Sequence, residues 1–150
     1  MVKPAVILTL LASLDEKLTI LRSLQSSTLR ELAADPIRWN ATLHLLQLSI
    51  EHVTDICAHL LAGQGMAAVD DNRQLVLKAG RSQIMPYEFA QRIAPMTGFR
   101  NVVVHEYLTV DPAKVHDMLH NRLDDFEEFK LHVYDYLKRE GLLPPIEPIA

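Results

Sequence analysis

The sequence predicts an all-α protein, an up-and-down bundle of four to five helices. Three observations carry that expectation. Apolar residues recur at alternating steps of four and three along most of the chain, the spacing of helices packed along their length. The pair Asp-Pro occurs at 35–36 and again at 111–112, each time just ahead of a new apolar rhythm. The one stretch with strand-like composition, three consecutive valines at 102–104, has no strand partner elsewhere, and an isolated strand would leave its backbone groups unpaired.

Pro4 can open the first helix, with Ile7, Leu11, Leu14, Leu18 and Leu21 as its seam and an expected end near Ala33. Lys3 followed by "AVILTLLASL" imitates a secretory signal. The leucine spacing continues unbroken through "DEKLTILRSL", however, so the run reads as the first half of an amphipathic helix. In "ADPIRW", Asp35 can accept hydrogen bonds from the free amides of the next turn, and Pro36 suits the first helical position. Trp39, Leu43, Leu46, Ile50, Val53, Cys57 and Leu60 then mark a second long helix to about Leu61.

Two glycines break the pattern in "AGQGMAAVDDNRQ", after which Asp70 or Asp71 can cap a short helix closed at Gly80. Pro86 begins "PYEFAQRIAPMTGFRNVVVHEY", a helical stretch interrupted or kinked near Pro95 and Gly98. From Asp111 and Pro112 a last helix is predicted to about Arg139, with Leu119, Leu123, Phe126, Val133 and Leu137 inward. The proline-rich "GLLPPIEPIA" cannot continue it, so 142–150 reads as a loose tail on a single domain spanning 1–150.

Composition narrows the function classes. With 150 residues, 49% hydrophobic and 23% charged, the chain is an ordinary soluble protein with enough length for its own core. Its single cysteine excludes an intrachain disulfide, which fits a reducing cytoplasm, and no apolar run approaches the length of a membrane span. A net charge of −4 argues against a broad electrostatic footprint for nucleic acid. A few local cations can still hold a phosphate on an acidic surface.

The segment "GFRNVVVHEY", Gly98 to Tyr107, breaks the plain rhythm. On an ideal helix five residues turn roughly 140° beyond a full circle, so Arg100 and His105 point apart. Asn101 and His105 share one face, and Arg100 and Tyr107 another. Taken on residue types alone, these are the polar edge of a core helix. A site using both Arg100 and His105 needs a helix distortion, a curled arginine, or a second copy across a two-fold axis.

The same residues resemble the R-xxxx-H-x-Y signature of HEPN-superfamily toxins of the HepT-like branch, whose usual partner is a minimal nucleotidyltransferase antitoxin. The resemblance extends over "WNATLHLLQLSIEHVTDICAHLLAG", "YEFAQRIAPMTGFRNVVVHEY" and "DPAKVHDMLHNRLDDFEEF". It implies a HEPN-like bundle, a ribonuclease that needs no metal and no cofactor, and a homodimer in which the motifs of two subunits meet. It also implies RNA as substrate and Tyr107 as the residue that the antitoxin modifies with adenylate. The residue types suit that chemistry. Cleavage of RNA without a metal uses the neighbouring 2′-hydroxyl as nucleophile, and a histidine can take or give that proton at neutral pH, which is the role of His105. Arg100 offers a permanently charged fork for phosphate oxygens, and Asn101 can orient His105 or a phosphate.

Glu51 and Asp55, one turn apart inside the apolar second helix where unpaired carboxylates are costly, read as supporting partners of Arg100, the alternative being that they simply face water. His52, Asp55 and His59, like His116, His120 and Asp124, have spacings that metals use, but without thiolates or a signature they read as polar surface. Asp124, Asp125, Glu127 and Glu128 read as an exposed acidic face of the last helix. The alternative to a ribonuclease toxin is a non-catalytic helical module binding a nucleotide or partner protein through the same polar site.

Overall fold

The computed structural model describes residues 2–143, and every regular element among them is helical. The order is α1 (Pro4–Ser23), α2 (Leu29–Ala34), α3 (Pro36–Gly63), α4 (Asn72–Arg81), α5 (Tyr87–Ile93), α6 (Met96–His105), a 3-10 turn (Tyr107–Thr109), α7 (Pro112–Asn121) and α8 (Leu123–Arg139). The 28-residue α3 is the axis of the bundle, in contact with α1, α2, α4, α6, α7 and α8. Its inner face buries Leu43, Leu46, Ile50, Val53, Cys57 and Leu60 against the full leucine seam of α1. Burial pushes the Cys57 thiol up to about 12, because a thiolate would have no water there.

Both Asp-Pro pairs start helices by the expected chemistry. The Asp35 carboxylate accepts from the amides of Ile37 and Arg38 at 3.0 and 3.3 Å, and that of Asp111 accepts from Ala113 at 2.9 Å. Of the two aspartates offered for α4, Asp71 is the cap, accepting from the Gln74 amide at 3.1 Å.

Two boundaries differ from the sequence reading, and the expected interruption near Pro95 is present. The first helix stops at Ser23 rather than near Ala33, because Thr28 and Glu31 form a reciprocal capping box that starts α2. The stretch opened by Pro86 divides at Ala94 and Pro95, where the proline has no N–H to continue the ladder, and Gly98 lies inside α6 instead of at a kink. The last helix is two helices: Arg122 leaves ideal helical geometry at φ −115°, ψ −3°, and Asp124 and Asp125 fill the favourable first turn of α8. Leu142 and Leu143 pack against the core, and the remainder of the tail expected from 142 lies outside the described residues.

The acidic set of α8 is an exposed face at Asp124, which is 90% exposed, and partly exposed at Glu127 and Glu128, while Asp125 alone is largely withdrawn from water. Asp124 pairs with Arg22 at 2.9 Å, Glu127 with Lys130 at 2.9 Å, and Glu128 with Arg92 at 2.6 Å. Asp125, only 14% exposed, sits between Arg92 at 3.2 Å and Arg122 at 3.7 Å. Burial raises its pKa against the pull of those two arginines.

Candidate active site

The valine segment is helical through His105. Val103 is buried and Val102 packs partly against the core, which orients α6 so that Arg100 reaches across to α3. There its Nε and Nη2 both donate to one Glu51 oxygen, Oε1, at 3.0 and 2.8 Å. Nη1 donates to Asn101 Oδ1 at 3.2 Å, and Gln47 adds a third donor to Glu51 Oε1 at 3.2 Å. The pair is partly withdrawn from water, with Arg100 24% and Glu51 28% exposed, so the fork is held rather than free to wander. A guanidinium carries five N–H groups, and three are engaged here. The other two have no partner among the described residues.

Beside the arginine lies a cleft of about 560 Å³, lined by Pro95, by Thr97, Gly98, Arg100 and Asn101 of α6, and by Asp70, Asp71, Asn72 and Arg73 around the start of α4, so that two carboxylates share it with the two arginines. Arg73 makes no ion pair among the described residues. Asp55, one turn beyond Glu51, is exposed and makes no hydrogen bond or ion pair with Arg100, because α6 meets α3 at Glu51 and α3 carries Asp55 past the crossing. Asn101 turns its amide oxygen to Arg100 and makes no hydrogen bond with His105.

The other end of α6 is open. His105 is its last residue, exposed, with no side-chain hydrogen bond among the described residues. Glu106 leaves the helix at φ −138°, ψ 39°, so Tyr107 begins the 3-10 turn and the seven-residue phase that would set it beside Arg100 does not apply. Tyr107 is 60% exposed and Leu108 84%, a pair of large side chains facing solvent.

Of the histidine sets, only His116 and His120 meet, their rings stacked with centroids 3.9 Å apart. His52 Nε2 lies 2.9 Å from Ser13 Oγ, whereas His120 places its two ring nitrogens against the carbonyls of His116 and Gln25 at 3.0 and 2.6 Å. Among the described residues no three His, Cys, Asp or Glu side chains form a potential metal-holding group. Sequence reasoning missed Gln47 and Arg73. Gln47 was within reach as the residue one turn before Glu51. Arg73 was not, since the loop between α3 and α4 hides which side of the bundle it meets.

The protein is an α-helical bundle that carries an arginine fixed beside a polar cleft and, five residues on, an exposed histidine with no side-chain hydrogen bond among the described residues. The chain belongs to the family described as ribonuclease HepT-like, whose match spans residues 14–133, and its enzyme class is accordingly ribonuclease. It is 28% identical over 136 residues to the tRNA nuclease HepT of Aphanizomenon flos-aquae, covering 91% of this chain and 92% of that one. The fold is similar to that of the cytosolic protein YutE of Bacillus subtilis, with a TM-score of 0.83 at 15% identity over 96% of each chain. It is also similar to that of a tri-AMPylated Shewanella oneidensis HEPN toxin in complex with MNT antitoxin, with a TM-score of 0.79 at 18% identity over 90% of this chain and 99% of that one. At such identities the two structures show a shared fold.

Proposed function

We propose that this chain is the toxin of a toxin–antitoxin pair, a metal-independent ribonuclease whose active site is completed across a homodimer and silenced by adenylylation of Tyr107. The observation that carries the reading is the division of labour on α6: among the described residues, Arg100 is fixed with two N–H groups unspent, and His105, turned away on the same helix, is exposed and unpartnered. One chain holds the parts of a site without bringing them together. A second copy across a two-fold axis brings them together, and Ile37, His44, Leu48 and Asp55, exposed or partly exposed along one face of α3, offer a surface for it.

In the assembled site one His105 takes the proton of the substrate 2′-hydroxyl and the 2′-oxygen attacks phosphorus. The 5′-oxygen leaves with a proton from the other His105, giving a 2′,3′-cyclic phosphate and a 5′-hydroxyl. Arg100 donates to the non-bridging oxygens as their charge builds, with Glu51 and Asn101 holding its plane. The antitoxin, a nucleotidyltransferase, acts on the exposed phenol of Tyr107. The phenol oxygen attacks the α-phosphorus of ATP and pyrophosphate departs, adding negative charge and an adenosine to the rim of the site.

Incubation of the pure chain with total RNA, with and without EDTA, tests the reading beside His105→Ala and Arg100→Ala. Cleavage should survive EDTA and be lost in both variants. Cleavage that stops on chelation, or that persists in His105→Ala, would sink it. Tyr107→Phe should cleave as the wild type does and gain no adenylate mass when incubated with the nucleotidyltransferase and ATP; equal labelling of the Phe variant would remove Tyr107 from the scheme.

A further inference from the structure

Gly98 is a residue that the fold does not require. It lies exposed in the first turn of α6, and a Cβ added there would meet no atom within 4 Å. Glycine in a helix is less stable than alanine because its backbone has more freedom to lose. Space for a side chain and a helical backbone that tolerates one leave close approach by something outside the chain as the reason for a bare backbone here.

Two clefts meet at this glycine. One is the Arg100 cleft, and the other, about 740 Å³, lies between α6, the 3-10 turn and α7, with Pro95 and Gly98 lining both. The larger cleft has the volume of a small-molecule site and an apolar lining that includes Met96, Phe99, Val102, Val110 and Met118. Most of its charges are already matched. Asp125 lies between Arg92 and Arg122, Asp117 lies 3.7 Å from Arg122, and Asp111 caps α7. Among the described residues that leaves Lys114 and Glu106 as the lining charges without an ion-pair or side-chain hydrogen-bond partner. An apolar slot with one free carboxylate and one free ammonium matches a nucleobase and its phosphate. The carboxylate accepts from a base edge bearing an amino group, the ammonium meets the phosphate, and the flat faces bury against Phe99 and the methionines.

We propose that this cleft is the subsite for an amino-bearing base next to the scissile phosphate, with Gly98 the saddle over which the RNA backbone passes to Arg100. The inference rests on the ribonuclease reading and adds to it a substrate preference.

Steady-state cleavage of short oligoribonucleotides, with each base varied beside the cut, tests it on the full chain. Gly98→Leu should raise KM about tenfold with kcat little changed and the thermal midpoint unmoved or higher, Gly98→Ala doing the same more weakly. Glu106→Gln should cut the preference for adenine, guanine or cytosine over uracil about tenfold. A Leu variant with wild-type KM overturns the proposal, and so does one that no longer dimerises, which would assign the glycine to contact between copies. If the wild type cleaves none of the oligonucleotides, the ribonuclease reading fails separately. Anisotropy with a fluorescent 2′-deoxy oligonucleotide then decides the subsite: weaker binding by Gly98→Leu supports it, and unchanged binding overturns it.

Discussion

The two ends of α6 are built to different rules although the helix is only 10 residues long. In the first half of the helix Arg100 is bonded to Glu51 and Asn101, backed by Gln47, and partly shielded from water. At the second end His105, Tyr107 and Leu108 stand in solvent, and the helix has unwound by Glu106. A group that must offer a fixed charge gains from being held in advance, since no reorganisation is then needed when the ligand arrives. A group that must exchange protons, or be modified by another protein, gains from access. On the proposed reading, the difference separates what the chain completes by itself from what a second molecule would complete.

The largest expected effect breaks the open end. His105→Ala should lower ribonuclease activity by about 10²–10⁴-fold, the usual contribution of a positioned acid or base, while thermal unfolding stays at the wild-type midpoint because the ring is exposed. A comparable fall in melting temperature would show the histidine to be structural. Next comes the held end. Glu51→Ala removes the carboxylate that fixes the fork, so activity should drop about tenfold and stability by about 1 kcal/mol, the net worth of a hydrogen-bonded pair with partial exposure. Glu51→Gln should recover part of the activity, because an amide oxygen can still accept from the guanidinium. Denaturant titration beside rate measurement separates the two losses, and unchanged activity in Glu51→Ala would end the claim that Arg100 needs holding. A smaller effect probes the core along α3: the Cys57 thiol, pushed up to about 12 by burial, should react with a thiol reagent at neutral pH only as fast as the chain unfolds.

Most of this architecture was legible, and the exceptions have physical causes. The seams of α1 and α3 and the two Asp-Pro starts are local signals, and each is realised because nothing in the tertiary structure opposes it. The break at Thr28 was also written in the chain, as a threonine three residues before a glutamate, but the longer leucine rhythm masked it. The break at Arg122 carries no glycine or proline, and only the paired aspartates after it mark a new helix start. At the candidate site, the pairing of Glu51 with Arg100 and the exclusion of Asp55 depend on where two helices cross. Spacing along one helix fixes phase, not the crossing point. The helix-phase argument for Tyr107 failed for a related reason, since it assumed a helix two residues longer than α6 is.

The smallest expected effect lies just behind the held end. His52 follows Glu51 on α3 and faces α1, where its Nε2 meets Ser13 Oγ at 2.9 Å and Lys17 Nζ donates to the same hydroxyl at 2.8 Å. Its Nδ1 is buried with no hydrogen-bond partner among the described residues, which favours a tautomer whose bare nitrogen, rather than an N–H, faces the interior. Burial and then the Lys17 ammonium hold its pKa below 6.5, with Asp55 and Glu51 pulling the other way. The folded chain therefore resists a proton that the unfolded chain accepts. Its contribution to stability is complete above pH 6.5, the unfolded value, and is lost as the pH falls from there through the folded value. Thermal midpoints should decline modestly over that range in the wild type and decline less in His52→Gln, which keeps a donor toward Ser13 without a titrating ring. Identical pH profiles for the two proteins would mean that the buried nitrogen costs nothing when it is charged, and the support beneath Glu51 would then be independent of pH.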